Sequence, residues 1–115
     1  MGFSIELRRV KSKARTGRSA GATPAVGVVE RYAEDGELDA AVRRIGASRL
    51  PVLAGLDPYT DHRFQGDSAR GLEAELAQVD TAALKPAERK VLDLLLDWSR
   101  RCAADPDLRI GFTGD

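Results

Sequence analysis

The chain has 115 residues, 43% of them hydrophobic, and a formal net charge of zero. That length fits one domain able to bury about 60–70% of its unfolded surface, and the balanced charge singles out no class of partner. One cysteine, Cys102, excludes a disulfide within the chain and points to a reducing compartment, the cytoplasm.

The charge is unevenly placed. Residues 1–18 carry six Lys/Arg against one Glu, so the positive excess sits at one end and the remainder is acidic. No apolar run approaches the length of a membrane span, and no continuous apolar stretch marks a signal peptide. Glu6 stands where a myristoylation signal wants Ser or Thr. With only six aromatic residues, Leu, Val, Ile and Ala must fill most of the core.

Phe3, Ile5 and Leu7 alternate with Ser4, Glu6 and Arg8, which predicts a half-buried strand. Residues 11–22 lack apolar periodicity and are rich in Lys, Arg, Ser and Gly, as expected of a flexible basic loop. Thr23-Pro24 offers a helix start, and Ala25, Val28, Val29 and Tyr32 follow at helical spacing. The run Val26-Gly27-Val28-Val29, rich in β-branched residues, leaves strand as the alternative for residues 25–34. After Asp35-Gly36, the spacing of Leu38, Ala41, Val42 and Ile45 predicts a helix ending near Gly46.

LPVLAGL, Leu50 to Leu56, is short, apolar and contains a proline, so an edge strand or a buried extended segment is expected. A polar loop, Asp57 to Asp67, carries strong turn chemistry at Asp57-Pro58. Asp67 is placed to cap a helix whose apolar face is Ala69, Leu72, Leu76 and Val79.

The strongest signal is Pro86 to Ala104. Proline suits the first helical position, and Ala87, Val91, Leu94, Leu95, Trp98 and Cys102 form an amphipathic stripe. Leu92 and Leu96 widen it, so the helix is expected to meet neighbours on two sides. Asp105-Pro106 ends it. Leu108, Ile110 and Phe112 then alternate with Arg109, Gly111 and Thr113 as a last strand.

Two groups of residues are candidates for chemistry or binding. The loop holds Asp57, Tyr59, Asp61, His62, Arg63 and Asp67, with the chain's single histidine. Its acids lack the order of a calcium-binding loop, and one His with one apolar-stripe Cys cannot build a zinc site. Turn formation and capping explain Asp57 and Asp67 without a ligand. A small metal-dependent or acid–base enzyme built on Asp57, Asp61, His62 and Asp67 is therefore the weakest reading. The second group is basic: Arg8, Arg9, Lys11, Lys13, Arg15 and Arg18. It suits phosphates or an acidic partner surface, although no aromatic is interleaved for base stacking. Walker loops, dinucleotide fingerprints, nucleophile elbows and paired cysteines are absent.

The run LPVLAGLDPYTDHRF, followed by an amphipathic helix, a Leu-rich helix and a closing LRIGFTGD, resembles a group of small, uncharacterised actinobacterial proteins. The likeness covers Leu50 to Asp115. It departs at Thr60, where the pattern has glycine, and at His62, where it has threonine. Similar small cytoplasmic α+β proteins often serve as immunity proteins or accessory binders, which the resemblance implies here.

The expectation is a single α+β domain over residues 1–115. Both terminal strands share one small sheet, packed by the long Leu-rich helix and two or three shorter helices. The functional expectation is a non-catalytic protein-binding module of immunity type, without cofactor or metal. A nucleic-acid binder using residues 8–18 is the alternative, no membrane is involved, and a homodimer stays open. The residues expected at a partner are Arg8, Arg9, Lys11, Lys13, Arg15, Arg18, Asp57, Tyr59, Asp61 and His62.

Overall fold

In a computed structural model, which describes residues 3–10, 27–57 and 59–114, the first and last strands lie side by side. Strand β1 (Phe3–Arg9) pairs antiparallel with β4 (Leu108–Gly114), in register from Phe3 opposite Gly114 to Arg9 opposite Leu108. Strand β2 (Gly27–Ala33) flanks β1, and a three-residue strand β3 (His62–Phe64) flanks β4. The sheet order is β2-β1-β4-β3, antiparallel throughout. The two terminal strands thus share one sheet, as expected, and they occupy its centre.

Among the described residues, four α-helices, α1 (Glu37–Ile45), α2 (Pro51–Ala54), α3 (Gly66–Ala77) and α4 (Pro86–Ala104), and a 3-10 turn, Thr81–Ala83, accompany the sheet. Ile5 and Leu7 of β1, Ile110 and Phe112 of β4, and Val91, Leu95, Trp98 and Cys102 of α4 are all buried in one core. Trp98 is only 1% exposed. Phe112 meets Phe3 and Phe64 edge-on, at centroid distances of 5.5 and 5.6 Å. Helix α4 also touches α1 and α3, the two-sided contact that its wide stripe predicts. The stripe begins one residue later than expected, because Ala87 is exposed and Glu88 takes the buried position.

Three sequence expectations need correction or a choice. Residues 27–33 are strand, not helix: Tyr32 and Glu30 pair with Ile5 and Leu7, and a bulge inserts Val29 beside the Leu7–Arg8 step. LPVLAGL contains the short helix α2, with Pro51 at its first position, rather than an extended segment. Asp67 does not cap α3. Gln65 occupies the cap, with its N–H donating to Ser68 Oγ, while Asp67 sits in the first turn and pairs with Arg70.

Helix starts share a device. An N-terminal turn leaves N–H groups without partners inside the helix, and three buried glutamates supply acceptors. Glu34 accepts from Gly36 and Leu38 at the start of α1, and from Phe3 of β1. Glu75 of α3 accepts from Val52 and Leu53 at 2.8 and 3.0 Å, closing α2 from 22 residues away. Glu88 accepts from Lys85 N–H and holds Arg44 through both oxygens, at 2.8 and 3.2 Å, which ties α4 to the end of α1. Arg44 first, then the Lys85 N–H, holds the Glu88 carboxyl below its ordinary value of 4.5.

Candidate functional site

The polar loop after α2 is organised around its own residues. Asp57 Oδ1 accepts from Tyr59 N–H (2.9 Å), an Asx turn, and Asp57 O accepts from Thr60 N–H (3.2 Å). His62 Nε2 accepts from Asp57 N–H (2.9 Å), with Thr60 Oγ1 3.2 Å from the same nitrogen. The imidazole therefore closes the loop. Tyr59 points outward, 72% exposed, and Asp61 is exposed as well. The three acids do not converge, since Asp57 serves the turn and Asp67 pairs with Arg70 at 2.6 Å. Among the described residues, no group of three or more His, Cys, Asp and Glu could hold a metal ion.

Of the basic group, Lys11, Lys13, Arg15 and Arg18 lie outside the described residues, as does the expected flexible loop at 11–22. Arg8 and Arg9 are described, and they diverge. Arg9 leans toward the end of α4, where it pairs with Asp105 at 3.0 Å. Arg8 turns to the opposite face of the sheet and reaches Glu6 Oε1 at 2.8 Å.

That opposite face gathers residues that are scattered in the sequence. Strand side chains alternate between faces, so with Ile5, Leu7, Ile110, Phe112 and Phe64 buried, the outer face holds Glu6, Arg8, Arg31, Arg63, Arg109 and Gly111, together with Ser4, Val28, Ala33 and Thr113. The register puts Arg31, Glu6, Gly111 and Arg63 in one row across the four strands. Arg8 and Arg109 face each other in the next row. Glu6 holds Arg8 and, through Oε2 at 3.0 Å, Arg31. The Arg8 hydrogen bond first, with Arg31 adding to it against the cost of desolvation, keeps the Glu6 carboxyl below its usual range. Arg63 and Arg109 have no ion pair with any described residue. The face thus carries four arginines against one glutamate. All described aromatics on the strands, Phe3, Tyr32, Phe64 and Phe112, belong to the core side.

Sequence reasoning missed Arg31, Arg63 and Arg109 as members of one surface. The signal existed for Arg109, which alternates with buried Leu108 and Ile110. For Arg63 it did not, because three strand residues inside a polar loop leave no readable period.

A cleft of about 550 Å³ opens between the α1–α2 connection and the end of α3, and Arg44, Ser48, Arg49, Gln78, Glu75 and Asp80 contribute to its walls. Of its four charged residues, three are engaged: Arg44 by Glu88, Glu75 by α2, and Asp80 by Ala82 N–H. Cys102, the free thiol, is buried, which pushes its pKa up to about 11 and keeps it protonated at neutral pH. No helix of the described residues is long and apolar enough to cross a membrane. No protein-family model, curated protein or solved structure matches this chain.

Proposed function

We propose that the chain is a non-catalytic protein-binding module that meets an acidic partner with the outer face of its sheet. The observation that carries the reading is the cluster of four arginines around a single glutamate on a face that no described helix covers. Guanidinium groups bind carboxylates bidentately and lose little rotamer freedom per hydrogen bond formed, so such a face suits recognition of carboxylates. An immunity-type role, in which the face occludes a toxin, is the finer form of this proposal, and the cytoplasm is the compartment proposed for it.

Co-expression with the products of neighbouring genes tests it. A partner that co-purifies with the native chain, and is lost when Arg63 and Arg109 are both replaced by glutamate, is the expected result. A chain that captures none of them, and whose deletion leaves any toxic neighbour harmless, sinks the reading. Arginine also suits phosphate, so nucleic acid is the competing partner. The core-side placement of the strand aromatics weighs against it, because single-stranded binders add stacking to charge. If the competitor is right, log affinity falls with log salt at a slope near −0.9 per phosphate contacted.

A further inference from the structure

Gly111 stands in the middle of a central strand, where a side chain would ordinarily stiffen the sheet. Its backbone keeps a conformation any residue adopts, since the positive-φ glycines are Gly27, Gly36, Gly46 and Gly66. A Cβ built on Gly111 would meet nothing within 4 Å. Neither backbone geometry nor packing therefore calls for glycine at this position. Its effect is to leave bare peptide between Glu6 on one neighbouring strand and Arg63 on the other. The gap between those two side chains is two interstrand spacings, roughly 10 Å, and along β4 it is bounded by Arg109 and Thr113 on the same face.

The walls of this trough differ. Arg8 and Arg31 are already held by Glu6. Arg63, directly across from Gly111, and Arg109, two residues along the same strand face, form no ion pair with any described residue. Resting on the protein-binding reading above, we infer that the trough over Gly111 receives an extended acidic peptide segment, whose carboxylates are taken by Arg63 and Arg109. Glu6 sets the threshold, because it competes with the incoming carboxylates for Arg8 and Arg31. Charge complementarity fixes the occupant's sign, and the missing Cβ fixes how closely its backbone approaches.

The test uses the full chain and a fluorescently labelled octaglutamate peptide, followed by anisotropy at low salt. An octalysine peptide and a single-stranded oligonucleotide of matched charge run alongside. Octaglutamate should bind in preference to both. Arg63→Gln and Arg109→Gln should each weaken it by about tenfold. Gly111→Val should weaken it by a similar factor while the unfolding midpoint stays constant or rises, because valine favours strands. Gly111→Ala should fall between. Glu6→Gln should tighten binding by freeing Arg8 and Arg31, a gain that mere damage to the sheet would not produce.

Octaglutamate binding that ignores Gly111→Val overturns the trough and leaves the protein-binding module standing. An oligonucleotide preferred over the peptide, with the same dependence on Arg63 and Arg109, overturns both. If the folded chain binds neither probe, the trough is overturned, and co-purification with neighbouring gene products decides the module separately.

Discussion

Glu75 shows how much of this fold rests on single buried carboxylates. It is 6% exposed and accepts the N–H groups of Val52 and Leu53. Removing it leaves both donors inside the protein without partners, which costs about 1–3 kcal/mol. Glu75→Ala is therefore expected to lower the unfolding free energy by that amount, read as a lower urea midpoint at unchanged slope, and to speed amide exchange at Val52 and Leu53 first. Glu88 gives a pH signature instead. Its carboxyl is held below 4.5 in the folded protein, chiefly by Arg44. A depressed folded pKa adds stability above 4.5, and that stability is lost as the pH falls through the lower folded value. Urea midpoints should thus drop in that acid window, and Glu88→Gln should flatten the drop. Part of the slope remains in that variant, because Glu6 and Glu30 are also lowered, each first by an arginine hydrogen bond. None of the three capping glutamates was legible in the sequence as a buried residue. Glu75 and the helix it closes are 22 residues apart, and no local pattern records such a bond.

At the scale of elements, legibility followed burial on one side. Helix α4 buries Val91, Leu95, Trp98 and Cys102 along a single stripe, so its period is strong. Strands β1 and β4 each bury one face and alternate cleanly. Strand β2 lies at the sheet edge, with Val28 and Val29 each 40% exposed, so no alternation marked it and helical spacing looked as good. Helix α2 is one turn long, too short for any period to register. The same contrast predicts how substitutions behave. Trp98→Ala should cost about 3–5 kcal/mol, read as a lowered midpoint in chemical unfolding. Val28→Thr should change stability by less than about 0.5 kcal/mol, as exposed substitutions do. Equal costs for the two would mean that α4 does not organise the core.

The whole molecule is organised around β1 and β4, which come from opposite ends of the described chain and form the centre of the sheet. Amide exchange should be slowest at Ile5, Leu7, Ile110 and Phe112, and faster in the edge strands β2 and β3. Deleting residues 108–115 should leave a chain without cooperative unfolding, because it strips β1 of its central partner and removes Leu108, Ile110 and Phe112 from the core. Retained cooperativity in that truncated chain, followed by circular dichroism against urea, would show that the helices and β1–β2 fold alone.

The pairing of Phe3 with Gly114 also fixes an order in time. During synthesis β1 emerges first and must wait for β4, with Ile5 and Leu7 facing water and one strand edge open. Only the closing residues of the fold can seal that edge. The nascent chain passes through a stage at which it offers an apolar strand to any passing polypeptide. Contacts between distant parts of a chain are slow to form, so this interval, rather than the finished domain, is where the protein is most exposed to aggregation.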